Sequence, residues 1–343
     1  MVRPRNDPVY DLVMAVFCDH PSLRSQWHAV ARSGDLADAP IARRLLGEDL
    51  VVWRGTDGSV VVAPDRCPHR EAPLSGGCVH DGVLQCAYHG WKFGSGGSLV
   101  GVPSALPGVP VPPTGHLRVV HAEERYGLVW VCLDDPATGI PLIAQDRDPA
   151  FRRINNPVEQ WTTSATRLTD NFLDYTHFPF VHTGTFGRAQ DTVVPRFEVE
   201  DLDGGWYGFQ YEVDVNNPET AQSISGQTAK VLHRQMSTGF VLPFSVRSTI
   251  KYETGLEHIL LLLAAPIDDV NCYFTFVVWR NDDFSVSAED VIAFDRAIGA
   301  EDKRMLEQVP GVLPLTQTGV VSVQADKASV EWRRQFASML GLR

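Results

Sequence analysis

Along the first half of the chain, apolar residues come in short runs broken by glycine, proline and acidic turns. Residues 50–53 and 59–63 flank Gly55-Thr56-Asp57-Gly58, where Asp-Gly supplies the positive φ of a tight hairpin. Residues 83–85, 117–122 and 127–132 read as further strands. Between them, residues 95–115 are too rich in glycine and proline for regular structure but can wrap a site. Asp134-Asp135-Pro136 and the polar stretch 146–149 place a domain boundary near residue 150.

Beyond that boundary the pattern changes. A helical segment over 166–177 precedes five strand-like runs, 206–215, 231–236, 245–252, 258–266 and 272–279. The polar or glycine-bearing turns between most of them predict an antiparallel meander. A long helix follows over about 288–309. Ser287 with Asp290 three residues on resembles a capping box, and Pro310-Gly311 stops the helix. A last helix is expected over 330–340. The fold class is α+β: residues 1–150 an all-β module behind an N-terminal surface helix, residues 151–343 a sheet wrapped around a long helix. A chain of 343 residues is long enough for two such domains.

Composition narrows the function. Acidic residues outnumber basic ones 42 to 30, a formal charge of −12, which argues against a nucleic-acid binder. No run of about 18 apolar residues is present, so no spanning helix and no membrane partner are expected. Asp7 and Asp11 interrupt the short apolar run near the N-terminus, and the expected location is cytoplasmic. Six cysteines are too few for a disulfide scaffold. Cys18, Cys78, Cys132 and Cys272 are assigned to packing.

Cys67-Pro-His69 and Cys86-Ala-Tyr-His89 carry the chemistry. Each arm ends a predicted strand and contributes one thiolate and one imidazole. Such a set suits a structural zinc or a Rieske [2Fe–2S] cluster. Zinc fingers usually open with paired cysteines two to four residues apart, so mixed arms favour the cluster. Tyr88 is placed to donate a hydroxyl hydrogen bond to a ligand sulfur, and nearby glycines let backbone amides approach. CPHR…CAYHGWKF closely resembles the cluster signature of Rieske non-haem iron oxygenases.

The second constellation lies in residues 170–182. Asn171, Asp174 and His177 are spaced by three, one face of a helix. His182 follows His177 by five, and Pro179 is expected to break the helix so that it can swing back. Two histidines, a carboxylate and open positions describe the facial triad of non-haem Fe(II) oxygenases. The segment resembles the family element N-x-x-D-x-x-H-x4-H. For the missing carboxylate, the late helix has an apolar arc of Val291, Ile292, Phe294, Ile298, Met305 and Leu306. Asp295 and Asp302 fall inside that arc, with Glu301 at its edge. Helical geometry leaves both aspartates open, and the resemblance selects Asp302.

The resemblance spans nearly the whole chain and implies the rest. Cys67, His69, Cys86 and His89 would hold the [2Fe–2S] cluster, and His177, His182 and Asp302 a mononuclear Fe(II). The chain would be a terminal oxygenase using O2 and electrons from NAD(P)H. No G-x-G-x-x-G turn is present, so the reductase, with or without a ferredoxin, would be a separate protein. Asp174 would link His177 to His89 of the next subunit in a homotrimer. The C-terminal helix fits the single-component phthalate- and vanillate-demethylase-like group. That group favours hydroxylation or oxidative demethylation of an aromatic or cyclic small molecule. Cis-dihydroxylation and a non-catalytic electron carrier are the alternatives. Phe209, Tyr211, Phe240, Phe244, Phe274 and Phe276 are candidates for an apolar cavity or simply for core. Arg247 and His233 are candidates for a substrate carboxylate or for solvated strand positions.

Overall fold

The computed structural model describes residues 20–37, 39–282, 285–315 and 320–342. The expected N-terminal helix and Cys18 lie outside them. The chain divides into two units, one running to Ile140 and including Pro266–Asp268, the other formed by Pro141–Ala265 and the remainder. The division falls at 140 rather than near 150. The polar stretch that looked like a linker is docked on the second unit: Asp146 accepts hydrogen bonds from Trp279 Nε1 (2.9 Å) and Arg153 Nη1 (2.9 Å).

Among its described residues the first unit holds three small antiparallel sheets. β1 (His28–Arg32) pairs β10 (Leu128–Cys132), which pairs β9 (His121–Arg125). The expected strand at 117–122 begins only at His121. β2 (Ile41–Leu45), β3 (Glu48–Arg54) and β4 (Val60–Pro64) form a second sheet, with the Asp57-Gly58 hairpin between β3 and β4. Gly58 has φ 78°, the left-handed geometry that turn needs. β5 (Cys78–His80), β6 (Val83–Gln85), β7 (Lys92–Phe93) and β8 (Leu99–Gly101) form the third sheet. Trp53, Leu74, Leu84 and Phe93 are fully buried in the core beneath it.

The described residues of the second unit form one eight-stranded antiparallel sheet with helices packed on it. β11 (Arg152–Asn155) and β12 (Glu159–Trp161) pair β18 (Cys272–Arg280), and β17 (Glu257–Pro266), β16 (Ser245–Tyr252), β15 (Val231–Val241), β14 (Tyr207–Asn216) and β13 (Glu200–Asp201) follow in order. The last five long strands are the expected meander. The late helix runs Ala288–Leu306, with Ser287 Oγ accepting the Asp290 amide at 3.0 Å. It packs on the helix Glu219–Ser225 and on the short helix Phe178–Val181. Its inward face is turned from the expected arc: Met305 is 49 % exposed, whereas Glu301, expected at the edge, is buried. Lys327–Met339 is the C-terminal helix.

Candidate metal centres and substrate cavity

In the first unit, two loops of matching design follow β4 and β6. The Cys67 carbonyl accepts the amide of Glu71 (2.8 Å), and the Cys86 carbonyl accepts that of Gly90 (3.0 Å). Both closing residues have left-handed backbone, φ 62° at Glu71 and 68° at Gly90. Within each loop the cysteine turns into the core, and a histidine follows two or three positions on. Gly77 lets the first loop come close: a Cβ there would sit 2.0 Å from the Gln85 carbonyl oxygen.

Cys67 and Cys86 are buried and unbridged. Burial pushes the Cys67 thiol up, while amides of His69 and Arg70 directed at its sulfur act in the opposite sense. The His69 and His89 rings have centroids 4.5 Å apart, and His69 stacks on Trp91 at 4.6 Å. His69 Nδ1 is buried with no hydrogen-bond partner. An unsatisfied imidazole nitrogen beside two unbridged thiols is a set of donors awaiting a metal, so the residues fit a two-thiolate, two-imidazole cluster. Tyr88 departs from expectation. It is 65 % exposed, lies against the His89 ring at 3.9 Å, and its hydroxyl has no partner among the described residues. No bond from its hydroxyl to a cysteine sulfur is present among the described residues, and the side chain is largely open to solvent.

In the second unit the helix Ala165–Phe172 starts at Ser164, whose Oγ accepts the Arg167 amide at 3.2 Å. It ends before Asp174, so Asn171, Asp174 and His177 do not share one helix face as their spacing predicted. The Asp174 carboxylate accepts the Thr176 amide (2.7 Å) in a turn that competes with the helix. Pro179 lies in the first turn of Phe178–Val181, where a missing N–H is tolerated. The break thus comes from Asp174, and Pro179 restarts the chain.

His177, His182 and Asp302 converge, one ligand atom from each lying within 4.8 Å of the others. His177 Nε2 and His182 Nε2 are 3.2 Å apart, and Asp302 Oδ1 is 3.5 and 3.4 Å from them. The other ring nitrogens are engaged. His177 Nδ1 faces Asp174 Oδ2 at 3.0 Å, and His182 Nδ1 faces Glu301 Oε2 at 3.0 Å. With Nδ1–H donated to a carboxylate, each neutral ring turns a bare Nε2 lone pair toward the other and toward Asp302. Three acceptors facing one point repel unless a cation stands between them, so the site fits a metal.

Burial raises the Asp302 carboxyl, against the lowering effect of His182, His177 and the Asn171 amide, whose Nδ2 is 3.4 Å away. Burial lowers His182. At Asp174, burial acts upward but the bond and charge of His177 outweigh it, and the carboxyl ends below its usual range. Asp295 stands apart from the cluster. Desolvation pushes its carboxyl up to about 7.

Glu301 is the residue the sequence reading undervalued. Besides His182 it accepts the Gly184 amide (2.9 Å) and the Thr185 hydroxyl (2.6 Å). Its signal was present: a glutamate beside Asp302, on a helix edge, opposite two histidines.

An apolar cavity opens beside His177, His182 and Asp302. Phe209, Tyr211, Phe274 and Phe276 line it, one of the two roles their sequence pattern left open. Phe240 and Phe244 instead pack on Tyr207 and Phe336. Arg247 is bound to Asp203 (2.6 Å) and His233 to Asp214 (2.9 Å), so neither serves the cavity. The strand alternation of β15 turns His233 outward and Arg234 inward. Arg234, His258 and Arg280 reach the cavity in their place. Burial, and after it the charges of Arg280, Arg234 and Arg152, hold His258 well below the usual histidine range.

Comparison with known proteins places this geometry in a family. The Rieske [2Fe-2S] domain matches residues 26–113, and the vanillate O-demethylase oxygenase C-terminal domain matches residues 161–341. The chain belongs to the Rieske oxygenases. This Rieske oxygenase is 33 % identical to methylxanthine N1-demethylase NdmA of Pseudomonas putida over 91 % of its own length and 88 % of the relative's. It is 30 % identical to methylxanthine N3-demethylase NdmB of the same organism, over 92 % and 89 % of the two chains. The vanillate O-demethylase oxygenase subunit of a Pseudomonas species is 32 % identical over half of the chain. The solved structure of Pseudomonas putida CBB5 NdmA with caffeine superposes with a TM-score of 0.82 at 31 % identity, covering 93 % of this chain and 92 % of that one. A Rieske cluster and a mononuclear iron are therefore its cofactors, and it is the oxygenase component of a multicomponent system. No helix among the described residues is long and apolar enough to cross a membrane.

Proposed function

We propose that this Rieske oxygenase inserts one atom of O2 into an aromatic or cyclic small molecule, by oxidative demethylation or hydroxylation. The convergence of His177, His182 and Asp302 beside an apolar cavity carries the reading. The demethylase names of its relatives support it. In this reading Cys67, His69, Cys86 and His89 would hold the cluster, and His177, His182 and Asp302 would hold the mononuclear Fe(II), with Asn171 steadying Asp302 through its amide. When bound, the cluster supplies single electrons and the iron supplies the dioxygen chemistry.

The chain's own residues do the positioning. Asp174 and Glu301 each fix the tautomer and orientation of one histidine, keeping both Nε2 lone pairs on the shared point. The ring walls of Phe209, Phe274 and Phe276 exclude water and hold an apolar substrate body. Asp174 keeps a partly exposed carboxylate (24 %), free to bridge to His89 of the next subunit. Transfer between subunits in that manner requires a closed head-to-tail ring, and a homotrimer is the assembly we infer. Electrons come from NAD(P)H through a separate reductase or ferredoxin. Cysteines left unbridged fit a reducing, cytoplasmic setting.

The test is a substrate screen with a surrogate reductase, NADH and 18O2, scored by product mass. One labelled oxygen in a hydroxylated product, or loss of a methyl group, is the expected result. Two labelled oxygens in a diol would overturn monooxygenation in favour of cis-dihydroxylation.

A further inference from the structure

The cavity beside His177, His182 and Asp302 is lined by buried basic groups whose donors are not all paired. Arg234 is 8 % exposed. Its guanidinium carbon lies 5.6 Å over the Phe186 ring and 5.1 Å over the Tyr252 ring. No hydrogen bond or ion pair joins it to any described residue, and its Nε is buried without a partner. The two rings meet the flat faces of the guanidinium, whereas its five N–H donors point outward in its plane. Cation–π attraction is small against the cost of desolvating a charge, so a buried guanidinium needs a counter-charge in that plane.

Its neighbours deepen the deficit. Arg280 is 1 % exposed; its Nε bonds Asp282 (2.8 Å) and its Nη2 the Ile224 carbonyl (2.7 Å), while Nη1 has no partner. Asp282 is already shared with Arg152 at 2.6 Å. His258 Nε2, whose ring stands 5.3 Å from Tyr252, is also unpartnered. Arg280 and Arg152 thus share Asp282, the buried Asp295 carboxyl also lines the cavity, and Arg234 Nε, Arg280 Nη1 and His258 Nε2 remain without partners there.

Position supplies the rest. Phe186 stacks on His182 at 4.6 Å, so Arg234 stands a single ring away from a histidine of the iron site. We propose that Arg234 is the anion anchor of the substrate cavity, with Arg280 Nη1 and His258 Nε2 as supporting contacts, and that the substrate is an aromatic monocarboxylate. The carboxylate sits in the plane of the Arg234 guanidinium. The ring spans the apolar wall, and the group to be oxidised reaches the His177–His182–Asp302 point. This rests on the oxygenase reading and sharpens its substrate class.

The test is calorimetric binding to the full-length, iron-loaded protein, which requires no turnover. The probes are 2-, 3- and 4-methoxybenzoate, their methoxybenzamides and caffeine. At least one acid is expected to bind about tenfold or more tightly than its amide. Arg234→Gln should weaken that acid about ten- to a hundredfold and leave the amide nearly unchanged, as loss of a charge-assisted pair demands. Arg234→Lys should recover part of the difference. Preference for the amides or for caffeine in the wild-type protein overturns the proposal without any variant being made. Retention of the acid preference in a red-brown Arg234→Gln protein overturns it as well. A protein that binds the acids yet yields no demethylated product with reductase and O2 contradicts the oxygenase reading alone.

Discussion

The cluster loops take all their candidate ligands from residues 67–89, whereas the iron site joins residues 177 and 182 to residue 302 on another helix. In the first region, geometry is set locally. Two cysteine carbonyls accept amides four residues on, and each loop closes on a left-handed residue. In the second, each histidine is aimed by a carboxylate, Asp174 from its own turn and Glu301 from 119 residues away. A site built from neighbours survives as a local structure. A site assembled across the fold depends on second carboxylates to hold its aim.

This contrast sets the order of expected effects. His177→Ala should abolish turnover while the visible spectrum of the cluster persists, and His89→Ala should remove that spectrum. If His177→Ala leaves turnover intact, the division of labour between the two regions is wrong. Glu301→Gln should next lower iron affinity about ten- to a hundredfold, read as iron lost on dialysis against a chelator, with sulfide content unchanged. An unchanged iron affinity would make Glu301 a packing residue.

How much of this was readable from the chain follows the same contrast. The C-x-H and C-x-x-H arms stand out because every ligand and turn lies within one short stretch. The long strands of the meander were legible from their alternation. The end of the helix before Asp174 was not, because a side-chain-to-amide bond to Thr176 decides it rather than periodicity. Glu301 was set at the edge of an apolar arc, since the helix turns to bring two adjacent acids, Glu301 and Asp302, to the histidines. Arg234 was passed over for His233, although β15 alternates Leu232, Arg234 and Met236 inward. A charged residue at an inward strand position is a signal of function.

Smaller effects test the second region further. The Asp295 carboxyl rises from an ordinary value of 3.8 to about 7. The folded protein therefore holds that proton more tightly than the unfolded chain. Its favourable contribution is complete below about pH 4 and is lost as pH rises to about 7. Asp295→Asn should gain stability over the wild type across that window, levelling at a few kcal/mol (order of magnitude) above it, as urea unfolding would record. A constant difference from pH 4 to 8 would contradict the shifted carboxyl. Smallest of all, Ser164→Ala removes the cap of the helix leading to the iron site. It should cost about 1 kcal/mol, visible in thermal unfolding, with the cluster spectrum unaltered.

The most direct test counts iron and acid-labile sulfide per chain in the wild-type, Asp302→Ala and Asp295→Ala proteins. The expected result is about three irons to two sulfides in the wild type, about two to two in Asp302→Ala, and the wild-type ratio in Asp295→Ala. A full complement of iron in Asp302→Ala, or its loss only in Asp295→Ala, would contradict the assembled site.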